Sequence, residues 1–135
     1  FDLQSLNLVG CASLATSRLR SPRAVAKIVE GFEQGALRDT AIRIGLETTE
    51  FRAGVSSDLV RWASRLDAKQ IATPYIPTGP LRDWMLDARL DLNDAGIDLV
   101  EWRRDWDSAI WPHASAGFFK VKKQIPAILQ NIGVT

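Results

Sequence analysis

The chain has 135 residues, 46% of them hydrophobic and 24% charged, with a net charge of +1. That length suits one domain with its own hydrophobic core. The near-zero charge excludes a global field drawing the protein onto nucleic acid or membrane, so any basic patch must be local.

In chain order, "LNLVGCASLAT" (Leu6 to Thr16) is a small-residue apolar run of strand length, suited to a buried parallel strand. A helix is predicted next, with Ser21 as N-cap and Pro22 at its first position. Val25, Ile28, Val29, Phe32 and Ala36 recur on one helical face, Gly31 and Gly35 weaken the helix, and Gly45 stops it. "LETTEFRAG" reads as a short strand. "SSDLVRWASRLDA" reads as a helix capped by Ser56 or Ser57, with Leu59, Ala63 and Leu66 on one side. "KQIATPYIP" is a strand entering a proline-bounded loop. "TGPLRDWMLDARLDLNDAGI" is the clearest helix: Leu81, Trp84, Met85, Ala88 and Leu92 form its apolar face and Gly96 ends it. "IDLVEWR" is a fourth strand, and "FFKVKKQIPAILQNIG" a final helix that Pro126 must start, kink or split. Strands alternating with helices imply an α/β fold: a Rossmann-like parallel sheet of about four or five strands, helices on both faces and the first strand central. Residues 1–135 read as a single domain, and an opening on Phe1 rather than Met reads as a piece of a longer protein.

Neither G-x-G-x-x-G nor G-x-x-x-x-G-K-[ST] is present. The remaining ligand candidate is the loop Thr73 to Pro80, with Tyr75 and Gly79 inside it. It follows a strand's carboxyl end, where α/β sheets bind ligands. Thr78 is expected to cap the next helix, leaving the N–H groups of Leu81 and Arg82 to face an anion; a stiff turn starting that helix is the favoured reading. His113 is the one histidine and Cys11 the one cysteine, which leaves no metal site and no evident nucleophile pair. His113 is expected to hold its loop through ring hydrogen bonds. Asp105 and Asp107 flank Trp106, and a strand-exit turn with Asp side chains bonded to backbone N–H groups is favoured over acid/base chemistry. Lys120, Lys122 and Lys123 suit a solvated face, and Phe118 and Phe119 a core or an interface. A lone cysteine, no signal peptide and no membrane-length apolar run fit a cytoplasmic protein.

The segment "TPYIPTGPLRDWM", followed by "GIDLVEWRRDWDSAIWPHASAGFFKVKKQIPAIL", resembles the C-terminal end of bacterial FAD-binding proteins related to DNA photolyases and cryptochromes. "LATSRLRSPRAVAKIVEGFEQGALRD" is similar to that family's small-residue strand, R-S-P helix start and following helix. The resemblance covers nearly the whole chain. Its W-P-H-A-x-x-G-F-F block is fairly specific, and the rest is general α/β patterning. "SRLRSPRA" also resembles the D-L-R-L-H-D-N opening of the photolyase α/β domain, from which Ser17 and Ser21 depart. The resemblance implies an accessory, antenna-domain-like α/β unit. In it FAD belongs to a helical domain of the same parent chain, DNA is reached only through that parent, and this chain carries no catalytic residue and no cofactor of its own. The parent would perform light-dependent DNA repair, as a deoxyribodipyrimidine photolyase-like lyase, or sense light; an antenna chromophore is left open. Trp111, His113 and Phe118 would then seat the neighbouring domain at the carboxyl end of the sheet, near the Thr73–Pro80 loop. Two other classes stay in play: a stand-alone nucleotide or small-molecule enzyme using that loop, and a protein-interaction module acting through Trp102, Trp111 and Phe118.

Overall fold

The computed structural model describes residues 6–133. They fold as a mixed α/β chain of two compact units, one up to Val100 and one from Glu101. The element order is β1 (Cys11–Ala15), a 3-10 turn (Ser17–Arg20), α1 (Lys27–Ile44), β2 (Thr48–Arg52), α2 (Ser57–Arg65), β3 (Gln70–Pro74), α3 (Pro80–Asp94), β4 (Asp98–Trp102), α4 (Asp105–Ile110), a second 3-10 turn (Trp111–His113) and α5 (Phe118–Asn131).

The alternation expected from the sequence is present, but the sheet differs. The strands form two separate parallel pairs, β1 with β2 and β3 with β4, rather than one sheet of four or five strands. β1 and β2 run in register from Cys11 opposite Thr48 to Ala15 opposite Arg52. The strands have a physical reason to stop at pairs. β3 alternates exposed and half-buried residues and ends on Pro74, which has no N–H to give a further neighbour. β2 likewise leaves Thr49, Glu50 and Arg52 exposed. Neither strand carries the two apolar faces that a central parallel strand needs.

The core of the first unit lies on α2, α3 and the strands beside them. Ala63, Ile76, Met85, Leu92, Ile97 and Leu99 form its buried cluster, with Leu14, Trp62, Leu81 and Trp84 packed against it. The predicted stripe of α3 holds: Met85, Ala88 and Leu92 are buried, while Leu81 and Trp84 are half-buried. Trp84 keeps one edge at the surface, where its indole N–H donates to the Gly54 carbonyl at 2.7 Å. Leu59 and Ala63 of α2 are buried as expected. Two predicted stops also form. Gly45 sits at φ 67° with its N–H donated to Ala41 and Ile42, and Gly96 follows α3 at φ 73° with its N–H on Asn93.

The start of α1 is displaced. Pro22 does not open it; Ser21 is extended, and its hydroxyl accepts the Arg23 N–H at 3.1 Å, a local turn that holds the chain out of the helix until Lys27. The face is displaced as well. Ile28 and Phe32 are 82% and 80% exposed, and Glu30, Glu33, Gln34, Leu37 and Ala41 are the half-buried side. The second unit pairs α4 with α5, and Ile128 is its buried apolar residue. Pro126 lies inside α5 without ending it. No helix among the described residues is long and apolar enough to cross a membrane.

Candidate functional site

The Thr73–Pro80 loop is a braced turn. Thr73 lies half-buried in β3. Gly79, not Thr78, is the N-cap of α3, at φ 148°, and Pro80 takes the first helical position. Thr78 is exposed and makes no capping bond, because Gly79, at a positive φ, stands between it and the first turn. The Arg82 guanidinium donates to the Ile76 carbonyl and lies 5.0 Å from the centre of the Tyr75 ring. Arg82 therefore ties the loop to its own helix, where a cation–aromatic contact and a carbonyl bond rigidify the exit of β3. This favours the stiff turn over an anion site.

The W-P-H block belongs to the second unit. The expected strand-exit loop is a short helix, α4, begun by Asp105. Asp107 accepts both Arg104 Nε and Nη2, at 2.8 and 3.0 Å, and this guanidinium fork holds its carboxyl below the usual carboxylate range. Both aspartates thus stand in the first turn of a helix, and Asp107 is bonded through an arginine rather than to backbone N–H groups. Trp111 is 39% exposed, with the Arg103 guanidinium 5.2 Å from its ring. His113 is half-buried and, among the described residues, its ring makes no hydrogen bond. Its loop is held instead by the Ala114 N–H donating to the Trp111 carbonyl at 3.0 Å. Gly117 caps α5 at φ 81°, which a side chain would strain. Phe118 and Phe119 follow, edge to face at 5.8 Å and 63% and 77% exposed. They are surface rings, not core. Lys120, Lys122 and Lys123 are exposed, as expected. The block and the Thr73–Pro80 loop fall in different units.

A third constellation escaped the sequence reading. At the exit of β1, the Glu33 carboxylate reaches across from α1 and accepts the Thr16 N–H at 2.7 Å, the Thr16 hydroxyl at 3.2 Å and the Ser17 N–H at 3.1 Å. Thr16 and Ser17 are buried, at 6% each. Partial burial pushes the Glu33 carboxyl up, but the hydrogen bonds from Thr16 and Ser17 outweigh it and leave the group below its ordinary value. One turn earlier Glu30 meets Arg18 at 2.7 Å, and that hydrogen bond lowers the Glu30 carboxyl too. Ala15, Ser17, Arg18, Glu30, Glu33 and Arg52 line a hollow of about 10 Å³, water-sized, at the carboxyl edge of the β1–β2 pair. The spacing of Glu30 and Glu33, one turn apart and beside the apolar residues Ile28, Val29 and Phe32, was the available signal.

Cys11 opens β1 half-buried and free. Among the described residues no three His, Cys, Asp or Glu side chains group as metal ligands. Compared with protein-family models, curated proteins and solved structures, the chain matches none.

Proposed function

We propose that this chain is the accessory α/β domain of a photolyase- or cryptochrome-like FAD protein. FAD would sit in a helical domain of the same parent, and the parent would repair DNA with light or sense it. The observation that carries the reading is the pair Phe118 and Phe119. Two large rings stand 63% and 77% exposed at the head of α5, inside the W-P-H-A-x-x-G-F-F block that resembles the family. Exposed aromatics that complete no core in their own unit suit a surface that another domain covers. Trp111, held under Arg103, extends that surface. The braced Thr73–Pro80 loop is then a structural turn of the accessory unit, not a nucleotide pocket.

The test is to purify the protein from its native gene, with whatever else that gene encodes, and record its visible absorption. Flavin bands that remain through gel filtration support the reading. A second arm replaces both rings, Phe118→Ala with Phe119→Ala, and should lower the flavin-to-protein ratio. A native product that carries no flavin overturns the proposal.

A further inference from the structure

The segment from Ser17 to Lys27, S-R-L-R-S-P-R-A-V-A-K, holds four cations and no acid. The remaining 13 cations and 16 acids of the chain therefore net to −3, so the positive charge is concentrated here. The fold carries this segment to the carboxyl edge of the β1–β2 pair. There Arg52 joins it, since β1 ends at Ala15 opposite Arg52.

Arg18 is neutralised by Glu30. Arg20, Arg23, Lys27 and Arg52 are exposed and enter no ion pair among the described residues. Elsewhere in the same unit Arg38, Arg43, Arg61 and Lys69 each meet a carboxylate. Apart from Arg65, the first unit's exposed cations without an ion pair among the described residues gather on this edge, where Arg52 also feels the Glu30 carboxylate. Arg18 and Arg52 line the same hollow, and the Arg20 guanidinium lies 3.4 Å from the Thr16 hydroxyl beside it. Lys27 opens α1 one turn before Glu30. The hollow itself is no anion pocket, because it is water-sized and the Glu30 and Glu33 carboxylates face it. A ligand attracted to this edge must be a long polyanion lying across the rim.

We infer that this edge is a contact surface for the phosphate backbone of a nucleic acid, an inference that stands whether or not the flavin reading holds. Three of these four exposed cations are arginines, whose planar fork matches paired phosphate oxygens. A phosphate backbone presents charges in a row, whereas a small anion offers one. A lipid surface fits less well. The apolar residues that would insert are Ile28 and Phe32 on the outer face of α1. Asp39 shares that face at helical spacing, paired with Arg43 at 3.1 Å, and burying that pair in hydrocarbon is costly. Backbone contacts carry no sequence information, so binding is weak and indifferent to sequence.

The test is fluorescence anisotropy of labelled single-stranded and duplex oligonucleotides of unrelated sequences, titrated with the full chain at rising salt. Dissociation constants of about 10⁻⁴ to 10⁻⁶ M are expected near physiological salt, with roughly fifty-fold weakening on single strands between 50 and 200 mM salt for four phosphate contacts. Arg20→Ala with Arg23→Ala and Arg52→Ala should weaken binding at least about tenfold. A control removing the same charge elsewhere in the unit, Arg43→Ala with Arg61→Ala and Arg65→Ala, should cost less than about threefold, since those side chains are off this edge. Circular dichroism on both triple variants confirms folding, and Arg20→Glu alone gives a second, milder readout. No anisotropy change at 50 mM salt overturns the inference, as does equal loss in the two triple variants. Binding to phosphatidylserine vesicles without binding to oligonucleotides also overturns it, in favour of a lipid.

Discussion

Replacing Glu33 tests whether the exit of β1 is held from α1. The carboxylate accepts three hydrogen bonds, two of them from the backbone N–H groups of Thr16 and Ser17, whose residues are 6% exposed. Glu33→Ala leaves those two donors without a protein partner. A buried orphaned donor costs about 1–3 kcal/mol, and hydrogen bonds to a charged acceptor carry the larger values. Glu33 is itself half-buried, so water refills part of the gap and the lower end applies, about 2 kcal/mol for the pair of donors. Glu33→Gln keeps the volume and one acceptor oxygen but presents an amide donor to a donor, and should cost about 1 kcal/mol. The pH dependence has a definite sign. The folded carboxyl lies below its ordinary value of 4.5, so its contribution is fully present above that pH and fades as pH falls through the lower, folded value. Urea unfolding followed by circular dichroism at neutral and acid pH measures the loss, and hydrogen exchange over residues 11–17 localises it. If Glu33→Ala costs under about 0.5 kcal/mol and leaves exchange at Thr16 and Ser17 unchanged, these bonds do not secure the strand exit.

Two further outcomes are expected. Trp84→Ala should cost about 2–3 kcal/mol in urea, below the usual range for a fully buried tryptophan, because one edge of the indole is at the surface; Trp84→Phe, which loses the Gly54 bond and part of the ring packing, should cost less, about 1–2 kcal/mol. Gly117→Ala should destabilise the second unit by roughly 1 kcal/mol, since φ is 81° there and the added Cβ meets no neighbour within 4 Å that could turn the strain into packing; an unchanged melting transition in that unit would show that the cap adjusts freely.

Where apolar spacing and burial agree, the fold was legible. Leu81, Trp84, Met85, Ala88 and Leu92 fall on one stripe of α3, and the Gly96 signal marks where that helix ends. The alternation of strands and helices was legible for the same reason, since each element is a short run with its own period and its own stop. Sheet assembly was not. Pairing depends on which strand edges find partners, and a run such as Gln70–Pro74 differs from a central strand only through its terminal proline and one open face. α4 was hidden because Asp105, Trp106 and Asp107 alternate as a strand exit would, while the Arg104–Asp107 fork draws them into a helical turn.

α1 shows most clearly why the candidate edge could not be read from periodicity. Hydrophobic spacing assumes that the apolar side of a helix is the one that faces the fold. Here that side points outward at Ile28 and Phe32, and the inward side carries Glu30 and Glu33. The inversion follows from hydrogen bonding. β1 ends by turning at Thr16 and Ser17, which leaves buried N–H groups that must find acceptors. A carboxylate on the next helix satisfies both, and placing it there fixes the rotation of α1 about its axis. The same rotation puts Glu30 against Arg18, so the first cation of the basic segment is consumed while Arg20, Arg23, Lys27 and Arg52 stay exposed without an ion pair among the described residues. The charge pattern that distinguishes this edge is therefore a consequence of how two backbone N–H groups are satisfied.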